Sequence, residues 1–172
     1  VIPDLWSMSQ TSGRWTVFRY NNRNHSTITI NDADHLVDGA AVVTSVIRSG
    51  GKYGGVVDLT PAVSNQAAAV VRTIYIQGGD LIVSDKIQAR TDKDAKVRWT
   101  MVTYGVPTIG TDKVTLKSKG QTLYMSKKEG PAVEWKTWKC SGKPGVDFGS
   151  DFDNNNPNMY MCGYEATVEK GQ

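Results

Sequence analysis

Apolar and polar side chains along this chain alternate with a period of two, not 3.6. In 14–20, Trp15 and Val17 alternate with Thr16, Phe18 and Tyr20, and in 25–31 Ile28 and Ile30 alternate with Thr27 and Thr29. That is the signature of a pleated strand with one face turned to a core. Runs rich in β-branched and aromatic residues follow at 41–49, 55–60, 70–77, 81–89, 96–104, 113–117, 121–126, 132–139 and 159–168, so about eleven strands are expected. Gln77-Gly78-Gly79-Asp80 and Ser118-Lys119-Gly120 separate pairs of these runs, and their glycines tolerate the positive φ that tight hairpin turns impose. Only 64–71 has the alanine content of a helical turn, and it leads straight into a β-branched stretch. The expectation is an all-β fold, an antiparallel β-sandwich of about eleven strands with little or no helix. No internal linker or repeat divides it, so a single domain over 1–172 is expected.

Composition narrows the classes without naming an activity. The chain has 172 residues, of which 39% are hydrophobic and 22% charged, an ordinary globular balance with enough length for its own core. No run approaches the ~18 apolar residues of a membrane span, and Val1-Ile2-Pro3-Asp4 carries neither a basic region nor an apolar one. The absence of an initial Met leads to the expectation of a processed product or a piece excised from a longer protein. The net charge of +3 does not demand a nucleic acid partner, yet eight lysines against Glu129 and Glu134 fall in 113–143. Such a run is either a solvated face that keeps sheet edges wet or a surface for an anionic partner.

Several chemistries lack their residues. His25 and His35 are the only histidines, and no HExxH or paired CxxC pattern completes a catalytic zinc site. By strand alternation His25 shares a face with Thr27 and Thr29, turned away from the core. It is either a strand histidine bonded to a backbone carbonyl or a group directed at another domain. There is no G-x-S-x-G elbow and no phosphate-cradling loop. Asp32/Asp34, Asp92/Asp94 and Asp151/Asp153 read as turn aspartates. The loop from Asp151 to Asn158 fails the EF-hand pattern, with Asn156 where Gly is required and Cys162 where a bidentate Glu is required. Cys140 and Cys162 fit either an exported disulfide or two buried thiols.

The tryptophans differ in setting. Trp99 alternates with Val97 and Met101, and Trp15 with Val17, which makes both core candidates. In 134–138, Trp138 and Lys136 share one face while Trp135 joins Val133 on the other. An exposed indole beside an ammonium suits a sugar ring bearing carboxylate or sulfate. Tyr124 and Lys128 are candidates to extend that patch.

The order Asp4-Leu5-Trp6-Ser7-Met8-Ser9-Gln10, then Arg14-Trp15-Thr16-Val17-Phe18-Arg19-Tyr20-Asn21-Asn22, then His25-Ser26-Thr27-Ile28-Thr29-Ile30 resembles the C-terminal half of heparinase II/III-like polysaccharide lyases, with their R-W-x-x-x-R-x-x-x-x-x-H-N-T-L-x-I segment. Ala69-Val70-Val71-Arg72-Thr73, Val97-Arg98-Trp99-Thr100-Met101 and the Asp151–Asn158 loop extend the likeness. The resemblance implies a β-sandwich from an enzyme that cleaves uronate-containing polysaccharide by β-elimination. An upstream α/α-toroid and catalytic β-sheet of the same polypeptide would hold the reactive groups, leaving the isolated chain inactive. His25 is similar to the histidine of the family's H-N-T-L segment, with Ser26 at the asparagine position. Zinc in the full-length enzyme, with His25 as one ligand beside a histidine and an aspartate from earlier in the chain, is implied likewise. So is export to a bacterial periplasm. The alternative is an autonomous carbohydrate-binding module for acidic polysaccharide, built on Trp138, Lys136, Tyr124 and Lys128; a third is a purely structural or adhesive β-domain. Neither nucleic acid nor membrane is an expected partner.

Overall fold

The computed structural model describes residues 21–138, 140 and 158–172. Among them it builds eleven strands in three antiparallel sheets and one short helix. The strands are β1 (Ile28–Ile30), β2 (Val42–Ser49), β3 (Lys52–Asp58), β4 (Ala67–Gln77), β5 (Asp80–Ala89), β6 (Ala95–Thr103), β7 (Val106–Ile109), β8 (Lys113–Ser118), β9 (Gln121–Ser126), β10 (Lys136–Trp138) and β11 (Tyr160–Val168); α1 is Thr60–Val63. The chain divides into two compact units, one of Val1–Asp34 with Val97–Ala166 and the other of His35–Lys96 with Thr167–Gln172.

The first unit contains the sandwich. One sheet has the order β1-β6-β11-β10 and the other β7-β8-β9. Val114 and Leu116 of β8 pack with Trp135 and Cys162, and Trp99, Met101, Met125 and Tyr164 close around them. Trp99 stacks on Tyr164 with ring centroids 5.6 Å apart, and Trp135 meets the same ring edge-on at 5.3 Å. These are the geometries favoured by ring quadrupoles. The core role of Trp99 and the inward turn of Trp135 thus follow the alternation. Gly163 of β11 sits so close to β6 that a Cβ there would strike the Trp99 carbonyl oxygen, and only glycine permits this approach.

The second unit is the sheet β2-β3-β4-β5 with α1 packed on β4. Gly78 and Gly79 take φ of 59° and 91° in the β4–β5 hairpin, the two positive values of a type I′ turn. Lys119 and Gly120 repeat the device between β8 and β9 with φ of 47° and 76°. Arg72 of β4 lies opposite Asp85 of β5, joined by two hydrogen bonds of 2.7 and 2.8 Å, with both side chains nearly buried.

Four differences from the sequence reading have physical causes. The strand expected over 25–31 is confined to Ile28–Ile30, because Asn22–Asn24 form a 3-10 turn that His25 closes. Thr29 is also fully buried, so the face it shares by alternation is covered, not open. A helical turn occurs at Thr60–Val63, ahead of the alanine-rich stretch, with Pro61 in its first turn and the Asp58 carboxylate accepting from Thr60 N at 2.9 Å. Strand β7 was not among the expected strands; it carries Pro107 and is an edge strand paired with β8, the position in a sheet where proline is tolerated. The expected strand over 14–20, with Trp15, and the loop positions 151–157 lie outside the described residues.

Candidate functional site

The turn before β1 places His25. The Asn21 side chain accepts from Arg23 N and Arg23 Nε at 3.1 and 3.3 Å. The Arg23 guanidinium also donates to the Asp32 carbonyl and pairs with Asp34, both at 3.3 Å. Asn24 is fully buried and donates to the Cys140 carbonyl at 2.8 Å. Thr100 Oγ1 of β6 donates to the His25 carbonyl at 2.7 Å, and Ser26 Oγ accepts from Val102 N at 3.0 Å. The segment is thereby stitched to β6.

The His25 ring is exposed, with Nδ1 2.6 Å from the Asn21 carbonyl oxygen. A carbonyl can only accept, so Nδ1 is the donor in this contact and carries a proton. Metal-bound histidines are commonly oriented through just such a contact. One nitrogen is not a metal site, however. Among the described residues no three His, Cys, Asp or Glu side chains come together, whereas tetrahedral zinc takes four donors. The described residues alone do not fit zinc.

Beside this turn lies a buried cation. Arg98 of β6, 8% exposed, donates from Nη2 to Asp32 Oδ1 at 2.9 Å, and its guanidinium carbon is 5.9 Å from the centre of the Trp138 ring. Arg98 Nε and Asn24 Oδ1 are both buried without a hydrogen-bond partner among the described residues. Sequence reasoning passed over Arg98. Its signal was the alternation itself, which sets it opposite the core residue Trp99.

The structure separates the four sugar-contact candidates. Lys136 and Trp138 pair with Gly163 and Met161 of β11, on the face away from Cys162 and the sandwich interior. Trp138 is half-buried and lines a shallow groove of about 440 Å³ with Val106, Pro107, Tyr160 and Met161. The ammonium of Lys136 is held by Glu165 at 3.2 Å. Tyr124 belongs to the other sheet, and its β9 neighbour Met125 packs against the core, so Tyr124 faces outward on the opposite side of the sandwich. It is 63% exposed, with Lys113 Nζ 4.8 Å from its ring centre. Lys128 is exposed in the turn after β9. The sandwich therefore stands between Tyr124 and Trp138, and the four do not make one patch.

The carboxylate pairs act locally. Asp92 accepts from Arg90 Nε at 3.0 Å, which holds its carboxyl below the usual range; Asp94 accepts from Lys170 N at 2.9 Å. Cys140 and Cys162 are buried thiols that are not joined in a disulfide. Burial pushes each up to about 11, because a thiolate there would lose its hydration.

In comparison with known families, a model described as Heparinase II/III-like, C-terminal, matches residues 2–158. No curated protein matches the chain.

Proposed function

The chain belongs to the heparinase II/III-like C-terminal family, and from that premise we propose that it is the C-terminal β-sandwich region of a polysaccharide lyase. The full-length enzyme, on this reading, cleaves uronate-containing polysaccharide by β-elimination and is exported to the periplasm. The family match over 2–158 carries the reading.

The chemistry supports the division of labour. Removal of the C5 proton needs a general base and a group that neutralises the uronate carboxylate, held together in one cleft. Those groups belong to the toroid and catalytic sheet of the same polypeptide. This chain supplies packing for that sheet; were a zinc ion held by residues from earlier in the polypeptide, the exposed His25 would be the residue here to offer it one nitrogen. Such an ion would act as a fixed positive charge; the contribution of this chain is to hold the ring by the Asn21 carbonyl and the proton on Nδ1.

The test is ultraviolet absorbance of unsaturated uronate products from heparan sulfate or alginate. The complete polypeptide is expected to release them and the isolated chain to release none. Robust turnover by the isolated chain would overturn the reading.

A further inference from the structure

The outward face of the β7-β8-β9 sheet has an unusual composition. By register, Lys117 lies opposite Thr122, Thr115 opposite Tyr124, and Lys113 opposite Ser126. These six alternate with Val114, Leu116 and Met125, which face the core. With Val106 and Thr108 of β7, which lie opposite Lys117 and Thr115, the face thus presents an aromatic ring, two ammonium groups, four Ser or Thr hydroxyls and one exposed valine. No carboxylate lies on it, and the nearest in sequence, Asp112, precedes β8.

The cations here are uncommitted, unlike those near Trp138. Lys136 is paired with Glu165, and Arg98 is buried and paired with Asp32. Lys113 and Lys117 are exposed, and among the described residues neither has a carboxylate within ion-pair distance. Lys113 stays near the Tyr124 ring at 4.8 Å, which keeps a charge beside an exposed aromatic surface. At ~3.4 Å per residue, the four-residue spacing from Lys113 to Lys117 sets two positive charges ~14 Å apart along the strand.

We propose that this face binds an acidic polysaccharide, with Tyr124 as the stacking surface for a sugar ring and Lys113 and Lys117 as partners for successive carboxylates or sulfates. The proposal rests on the lyase reading above for its choice of polymer and places the contact on this chain itself. A sugar is favoured over a nucleic acid because single-strand platforms stack successive bases on several aromatics, whereas this face has one ring flanked by hydroxyls that match sugar hydroxyls. The face then guides substrate to a cleft formed elsewhere in the polypeptide.

The experiment is titration calorimetry of the chain with size-defined heparan sulfate and alginate oligosaccharides, at low and at raised salt. Tyr124→Ala is expected to weaken binding about tenfold, equivalent to about 1.4 kcal/mol. Lys113→Gln with Lys117→Gln is expected to weaken it at least as much and to flatten its salt dependence, because fewer screened charges remain. Lys136→Gln, a control at an already paired lysine, should leave binding unchanged. All are exposed surface changes, and circular dichroism checks that the fold persists. Absence of binding by the unmodified chain would overturn the proposal, as would binding indifferent to the Tyr124 and lysine changes. Equal binding of single-stranded DNA with the same variant sensitivity would overturn it too, as general polyanion adsorption. Unsaturated product release by the complete polypeptide is scored separately, so loss of this face as a binding site and loss of the lyase reading are distinguishable.

Discussion

Single positions in this chain are decided by how close the backbones come and what charge they leave behind. Gly163→Ala drives a methyl group into the Trp99 carbonyl oxygen, in a ladder where neither strand can retreat without breaking hydrogen bonds. It should destabilise the fold by about 1–3 kcal/mol, read as a lower urea midpoint with an unchanged slope. Cys140 and Cys162 make a second residue-scale prediction. With both thiols pushed up to about 11, alkylation of the native chain near neutral pH should be slow. It should accelerate roughly tenfold per pH unit toward that value, since only the thiolate reacts. Denatured, non-reduced protein should titrate two thiols at once; a disulfide would give none. Residue identities alone left that choice open, because pairing depends on which buried surfaces receive each cysteine. That Trp135 and Trp138 take opposite faces was legible, since strand alternation needs only the local order; that Trp138 is not an exposed indole but half-buried against Cys140 and Met161 was not, because those residues reach it only through the fold. The pairing of Lys136 with Glu165 was not, because it joins strands that are 29 positions apart.

At the scale of an element, the β4–β5 hairpin shows two kinds of constraint. Its turn depends on positive φ at Gly78 and Gly79, and an L side chain pays about 1–2 kcal/mol per residue for that conformation. Gly78→Ala with Gly79→Ala should therefore lower thermal stability, while Gly78→Asn, which forms the favoured Asn-Gly turn, should cost far less. Calorimetric melting of the two variants separates them. Farther along the same hairpin, Arg72 and Asp85 share a two-point contact with side chains 11% and 8% exposed. Removing either partner leaves a buried charge unpaired, so Arg72→Ala or Asp85→Ala is expected to cost about 3–5 kcal/mol. Replacing both with apolar residues of similar size should restore much of it, and a double-mutant cycle in urea measures the difference. The glycine pair announced the turn because its conformational demand is local. The ion pair was hidden, because it exists only once the register sets Arg72 opposite Asp85.

Taken whole, the molecule has a stability curve shaped by its buried thiols. Their folded pKa values lie above the unfolded value of 9.0. Stability is thus fully present below pH ~9 and lost as pH rises from there toward about 11, where the unfolded chain releases protons that the folded chain retains. Unfolding followed by fluorescence between pH 8 and 11 should show that decline, and Cys140→Ala with Cys162→Ala should flatten it. The sequence by itself determined the all-β class, most strand positions, the hairpin turns and the family, since these follow from period-two patterning, glycine conformation and the Arg-Trp to His-Ser-Thr order. Tertiary structure alone decided which faces are open. His25 left its expected strand for a turn that leaves the residue exposed; Thr29 was covered; Tyr124 and Trp138 fell on opposite sides of one sandwich. The physical reason is that alternation says which side chains share a side of a strand, while only the stacking of sheets says which side meets water.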